Sequence, residues 1–250
     1  MKYVALLAMV VWLLLGLLTV LVLWPLRWLQ VISLKQFLTI EGWWFRIVIK
    51  MLGVRLRIKG EMVNGVHMVV ANHISWLDIA LISAACDVRF VSKAEVRKWP
   101  VIGFLAASLG TLFIQRGAGQ SDAVAEQMVA SAKQNMPVAF FPEAKTSSGE
   151  TVLRFHRRLF AAPINEGLSV QPIAIHYHDG EKACHAAVPY VGGQTLWQNI
   201  NTLLSVKGKI TATVSFGQVS QLAGRGREEV ADLLQQQVIE MKEAARYEVL

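Results

Sequence analysis

A histidine and an aspartate stand five residues apart in Asn72-His73-Ile74-Ser75-Trp76-Leu77-Asp78, directly behind the apolar run His67-Met68-Val69-Val70-Ala71. A carboxylate that accepts a hydrogen bond from one imidazole nitrogen sets the tautomer and leaves the other nitrogen free to take a proton from a hydroxyl. On one continuous helix, residues five apart lie roughly 140° apart by the 3.6-residue period. His73 must therefore precede the helix that carries Asp78 if the two are to meet. Taken alone, the segment also admits a structural alternative, with Asp78 capping a helix and His73 in a plain loop.

Two further segments place polar groups at the ends of apolar runs. Phe113-Ile114-Gln115-Arg116-Gly117 ends in an arginine, whose planar, permanently charged fork suits a phosphate, although a surface arginine would read the same way. Phe140-Phe141-Pro142-Glu143-Ala144-Lys145-Thr146-Ser147-Ser148-Gly149 runs from an apolar strand straight into a glutamate and a polar loop. Acids rarely follow such strands for packing reasons alone. The phosphate loop G-x-x-x-x-G-K-[ST], the dinucleotide G-x-G-x-x-G, the zinc motif H-E-x-x-H and the nucleophile elbow G-x-S-x-G are all missing from the sequence.

The elements that must hold these residues alternate in type. Short β-rich runs cover 54–58, 67–71, 88–91, 111–114, 138–141, 168–178 and 210–216, and helical patterns cover 76–85, 101–109 and 122–133. A last helix over 227–247 carries Val230, Leu233, Leu234, Val238 and Met241 on one side. Strand alternating with helix predicts an α/β sheet flanked by helices.

The first fifty residues read differently. From Tyr3 to Leu26 there is no charged side chain, enough for a helix of about 36 Å that would cross a bilayer. The run ends in Leu23-Trp24-Pro25-Leu26-Arg27-Trp28 without a small-residue cleavage site, so it is expected to stay on the protein. Pro25 is expected to break the helix. Beyond it Phe37, Ile40, Trp44, Ile47 and Met51 form one apolar stripe, with Lys35, Arg46 and Lys50 on another face, the pattern of a helix lying among lipid headgroups. Five of the eight tryptophans fall in this segment, where apolar tails would meet water. The reading is a membrane-associated helical hairpin over 1–52 and an α/β domain over 53–250. Arg27, Lys35, Arg46 and Lys50 follow the span, which predicts a cytoplasmic position for that domain.

With 54% hydrophobic and 17% charged residues, the chain is too apolar to be disordered, and its apolar excess is too concentrated for a many-span transporter. A net charge of +7 favours anionic partners. The basic residues are scattered and no recognition motif accompanies them, so nucleic acid is not the expected partner. Cys86 and Cys184 lack C-x-x-C spacing and read as inert thiols; no metal site is expected.

Together the motifs resemble the glycerolipid acyltransferase family, best known for the lysophosphatidate acyltransferases of bacterial phospholipid synthesis. The resemblance covers most of residues 50–220. Its N-H-x-S-x-x-D stands as Asn72, His73, Ser75 and Asp78, its second motif as Phe113 to Gly117 with Arg116, its third as Phe141 to Ser147, and its fourth as Val170-Gln171-Pro172-Ile173. Where the family most often has Gly and Arg in the third motif, this chain has Ala144 and Thr146. One cation expected near an acceptor phosphate is thereby lost, with Lys145, Arg154, Arg157 and Arg158 available to replace it.

The resemblance implies an α/β, glycerolipid-acyltransferase-like sheet and direct acyl transfer. His73, oriented by Asp78, would deprotonate the hydroxyl of a lysolipid, which attacks the thioester of acyl-CoA or acyl carrier protein. No cofactor is implied. Arg116, Glu143, Lys145, Thr146 and Ser147 would bind substrate. The acceptor most in keeping with the family is 1-acyl-sn-glycerol-3-phosphate, in the inner membrane. The alternatives are lyso-ornithine lipid or another lysophospholipid, and, from another class, a membrane-anchored lipid-binding protein without turnover. His156, among Arg154, Arg157 and Arg158, reads as a headgroup contact, and His67, His176, His178 and His185 as structural.

Overall fold

The strands, in chain order, are Val54–Lys59 (β1), Met68–Ala71 (β2), Arg89–Lys93 (β3), Leu112–Ile114 (β4), Val138–Phe140 (β5), Ser169–His178 (β6), Ile210–Phe216 (β7) and Ser220–Gln221 (β8). The computed structural model describes residues 2–114, 120–178 and 184–247, with backbone alone at 2, 4, 5 and 120–125. Its strands form one sheet in the order β1-β7-β6-β2-β5-β3-β4, with β8 beside β6. β6, β2, β5, β3 and β4 are mutually parallel, while β7 runs antiparallel to β6 and carries β1 parallel to itself. The carboxyl ends of β2, β5, β3 and β4 therefore open on one edge, where ligands of parallel sheets commonly lie.

Helices cover both faces, as a mostly parallel sheet of continuous apolar strands requires. They are Lys2–Trp28 (α1), Leu34–Met51 (α2), Leu77–Ala85 (α3), Ile102–Ser108 (α4), Gln120–Lys133 (α5), Ala161–Asn165 (α6), Leu196–Leu203 (α7) and Arg227–Tyr247 (α8). Successive residues of β2 point to opposite faces. Val69 and Ala71 join Ile49, Leu77, Leu81, Ile175 and Leu203 in one core, under α2, α3 and α7. Met68 and Val70 join Met128, Phe160, Leu234 and Val238 in the other, under α5 and α8.

Pro172 lies inside a central strand, a position that proline, lacking a ladder donor, normally avoids. It falls where the antiparallel neighbour of β6 changes from β8, paired at Ser169 and Val170, to β7, paired from Ile173 onward. A missing N–H costs no ladder bond at that junction, and the Pro172 carbonyl still accepts from Gly217 N at 2.8 Å.

All seven expected strands and the four expected helices of the α/β part are present; the two-residue β8 and the short α6 and α7 add to them. The hairpin departs from expectation twice. First, α1 runs through Pro25 to Trp28. A proline in the last turn forfeits one bond back to the preceding turn, but its own carbonyl still accepts from Leu29 N at 2.9 Å, so the chain turns only after Trp28. α2 then begins at a capping box on Ser33, whose hydroxyl accepts from Gln36 N while the Gln36 side chain takes the Ser33 N–H.

Second, the buried face of α2 is Phe37, Leu38, Gly42, Val48 and Ile49, rotated away from the expected stripe, of which only Phe37 is fully buried. The cause is that α2 has two neighbours. Its buried face meets α3, where a Cβ on Gly42 would stand 2.4 Å from the Ser83 carbonyl. Trp44, from the expected stripe, instead meets α1 and stacks on Trp12 with ring centroids 6.3 Å apart. Gly16 of α1 leaves room for that indole, since a Cβ there would lie 2.7 Å from the Trp44 ring nitrogen. Lys35, Arg46 and Lys50 are exposed, as expected.

Candidate active site

His73 follows β2, and Asp78 sits in the first turn of α3, which begins only at Leu77. The histidine thus precedes the helix, and the chain folds back so that His73 Nδ1 lies 2.8 Å from Asp78 Oδ2. The same oxygen accepts the Ile74 and Ser75 N–H groups at 2.6 and 2.9 Å, and Oδ1 accepts the Tyr177 hydroxyl at 2.6 Å. A carboxylate with 0% exposure survives burial because four donors replace its water. Because a carboxylate only accepts, Nδ1 carries a proton, and in the neutral imidazole Nε2 is the nitrogen with the lone pair. His73 retains 18% exposure, so that lone pair belongs to the part of the pair that substrate can reach.

The ring is held from a second side. Phe141, at the end of β5, stacks on His73 with centroids 3.9 Å apart and planes 12° from parallel. The loop that follows grips the histidine backbone at both ends: Glu143 Oε1 accepts His73 N–H at 2.9 Å, and Ser147 N donates to His73 O at 2.8 Å. β2 and β5 are paired neighbours, so motifs seventy residues apart in sequence meet at one sheet edge. Asn72 ties the same point to β6 through a two-way bond, Nδ2 to Ile175 O at 3.0 Å and Ile175 N to Oδ1 at 2.8 Å.

Glu143 is 1% exposed, and burial pushes its carboxyl up to about 8, outweighing the His73 N–H that favours the charged form. Behind it, Lys242 of α8 is also buried and donates to Glu150 O at 2.9 Å; burial lowers its pKa. Tyr177 is fully buried, and its pKa is held well above the ordinary value by burial and by the neighbouring Asp78 charge.

Of the other expected residues, Lys145 is exposed beside the histidine loop. The Thr146 hydroxyl donates to Tyr190 O, and the Ser147 hydroxyl accepts from Gly149 N at 3.2 Å, so both are engaged in bracing the loop. Arg116 lies outside the described residues. Arg154 and Arg157 pair with Glu228 of α8 at 3.2 and 3.1 Å. His156 is exposed. His67 meets Ser169, His178 meets Thr213, His176 packs edge-on against His178, and His185 accepts from Ala187 N, all framework contacts. The Cys86 thiol is pushed up to about 12, chiefly by burial, which leaves it inert at neutral pH.

Ala144 adopts φ 57°, the left-handed region that a side chain resists. This explains the glycine that the related motif usually carries there.

The Acyltransferase family matches residues 55–176, a stretch that contains His73, Asp78 and Glu143. A lyso-ornithine lipid O-acyltransferase of Pseudomonas aeruginosa is 39% identical over 176 residues, 70% of this chain and 67% of that protein. The chain belongs to the acyltransferase family. A 1-acyl-sn-glycerol-3-phosphate acyltransferase of Neisseria gonorrhoeae is 36% identical to this acyltransferase over 65% of its length and 63% of the relative's. The crystal structure of the 1-acyl-sn-glycerophosphate acyltransferase PlsC from Thermotoga maritima shares its fold, with a TM-score of 0.72, 98% of each chain covered and 19% identity.

The sequence did not reveal Tyr177 or Lys242 as parts of this acyltransferase's site. Tyr177 had one available signal, a lone tyrosine in a wholly buried strand, whose hydroxyl must find a partner. Lys242 occupies the apolar side of α8, a departure from that helix's pattern that also marks a partnered charge.

Proposed function

We propose that the protein is a lysolipid O-acyltransferase in which His73 is the general base. The observation that carries this is the Asp78–His73 pair, with Nδ1 fixed on a saturated carboxylate and Nε2 left for an acceptor hydroxyl. The acceptor oxygen would attack the thioester carbonyl of acyl-CoA or acyl carrier protein while its proton passes to Nε2. Collapse of the tetrahedral intermediate would expel the thiolate, which takes that proton. Direct attack is supported by the burial of both motif serines: Ser75 has no exposure, and the Ser147 hydroxyl is bonded to Gly149. Neither hydroxyl is hydrogen-bonded to the His73 ring among the described residues.

General-base assistance is worth about 10²–10⁴-fold, so positioning and oxyanion stabilisation must supply the rest. After Glu143, the amides of Ala144 and Ser147 are engaged with Phe141 O and His73 O. Those of Lys145 and Thr146 are the remaining candidates in this loop for the oxyanion.

The acceptor we propose is 1-acyl-sn-glycerol-3-phosphate, in keeping with the Neisseria relatives, with Lys145 and Arg116 as the cations its phosphate would call on. Thr146 in place of an arginine, and the Pseudomonas relative's name, favour lyso-ornithine lipid as a second reading. The proposed location is the cytoplasmic leaflet of the inner membrane. α1 supports it: among the described residues it is the one helix long and apolar enough to cross a membrane, and Leu14, Leu18, Leu21 and Val22 are exposed on it.

The test is acyl transfer by detergent-purified protein from labelled acyl-CoA and acyl carrier protein to each acceptor, with His73→Ala as control. Product from lysophosphatidate that vanishes in the variant is the expected result. Product only from lyso-ornithine lipid moves the acceptor and keeps the chemistry, and product undiminished in His73→Ala overturns the general base.

A further inference from the structure

The segment after β3 carries a surface that neither the catalytic pair nor the hairpin uses. Trp99, Val101 and Phe104 are exposed by 42%, 38% and 43%, in a stretch that also exposes Lys93, Arg97 and Lys98 against one acid, Glu95. The ridge is rigidly built. Val101 has φ 62° and ψ −58°, and Ile102 N donates to Pro100 O across it at 2.6 Å, a γ-turn of the strained hand on a β-branched residue. Such a conformation persists only where its surroundings over-determine it. Here Gly103 N donates to Trp99 O at 2.9 Å, and Gly103 lies so close to the Arg97 carbonyl that a Cβ would stand 2.1 Å from it. Arg97 in turn rests on the Phe113 ring, 5.4 Å from its centroid. The strain fixes an apolar tip, Trp99-Pro100-Val101, in the exposed position.

We propose that this ridge is a second membrane contact, seated among the headgroups of an anionic bilayer; the inference rests on α1 being membrane-embedded. Three observations select a lipid surface over a protein partner. α4, which begins at the ridge, packs against α1, so the two apolar surfaces are continuous. The three cations beside the apolar tip match acidic headgroups. β3 is parallel to β5 and shares its edge with β2, so the ridge leaves the sheet on the same edge as His73. Seating it would turn that edge toward the bilayer that holds a lysolipid acceptor, with the amphipathic Trp99 at headgroup level.

The test uses full-length protein in phosphatidylcholine–phosphatidylglycerol vesicles, with an environment-sensitive fluorophore on Trp99→Cys, on Leu14→Cys in α1 and on Asp232→Cys in α8, each in a Cys184→Ala background. Aqueous iodide should quench the label at 99 at least about five-fold less than the label at 232, as for a residue in the interface. A lipid carrying a shallow doxyl group should quench it instead, and replacing phosphatidylglycerol by phosphatidylcholine should weaken the protection. If 14 is protected while 99 is as open as 232, the ridge is no membrane contact. Iodide access at both 14 and 99 would instead remove the membrane reading itself. Protection at 99 without doxyl quenching, growing with the protein-to-lipid ratio, would assign the ridge to a second copy of the chain and overturn the proposal.

Discussion

Tyr177 and Asp78 are joined by a 2.6 Å hydrogen bond between β6 and the first turn of α3, across ninety-nine residues of sequence. The bond occupies Oδ1 and leaves Oδ2 for His73 and two backbone amides. In the proposed mechanism Tyr177 would therefore act on the base through the carboxylate. Tyr177→Phe removes one of four donors to a buried charge, which should cost about 1.5–3 kcal/mol of stability. We expect kcat to fall about ten-fold with the acceptor KM little changed. A purely structural tyrosine would lower thermal stability and leave kcat in place.

Asp78→Asn tests the tautomer. An amide keeps the size and loses the charge, so nothing obliges Nδ1 to carry the proton. The expected fall in kcat is about 10²–10⁴-fold, the usual worth of general-base catalysis. Retained fold by circular dichroism with wild-type kcat would sink the role given to the pair.

Glu143 gives a pH-dependent stability of defined sign. Its carboxyl is raised from 4.5 to about 8, so the folded protein holds a proton that the unfolded chain releases between those values. Its contribution is complete below about 4.5 and is lost as pH rises through about 8. Glu143→Gln keeps the shape without the titration. Melting temperature measured from pH 5 to pH 8 should fall more steeply in the parent than in the variant, and parallel curves would show that the buried carboxyl does not hold its proton.

Ala144 at φ 57° carries left-handed strain of about 1–2 kcal/mol, partly offset in any comparison with glycine by the greater freedom of an unfolded glycine. Ala144→Gly should be neutral or stabilising by up to about 1 kcal/mol, whereas Ala144→Val should be clearly destabilising. Denaturant midpoints of the two variants decide it. Destabilisation by glycine would show that the alanine methyl makes a contact worth more than the strain.

Gly42→Ala should loosen the hairpin from the domain. The added methyl would stand 2.4 Å from the backbone carbonyl of Ser83, which cannot swing aside as a side chain can. Overpacking of this kind costs about 1–3 kcal/mol. Faster proteolysis between α2 and β1 is the expected result, and an unchanged digestion pattern would mean that α2 and α3 separate without penalty.

Much of the site was legible in the sequence because its signals are local. The requirement that His73 precede its helix comes from the 3.6-residue period, and α3 does begin at Leu77. The β2 and β5 runs are apolar on both faces, as buried parallel strands must be, and a polar residue follows each within three positions, Asn72 and Glu143. The length of α1 and its lack of charge are likewise properties of a contiguous stretch. Pairing between strands leaves no such trace. Only the β2–β5 contact brings Glu143 and Ser147 onto the two backbone groups of His73, and only the β6–β2 contact places Tyr177 under Asp78. The face of α2 that is buried was settled by its packing between α1 and α3, two apolar neighbours that one amphipathic pattern cannot distinguish. A buried carboxylate needs donors from wherever the fold can supply them, and the identity of those donors is decided by which strands lie side by side.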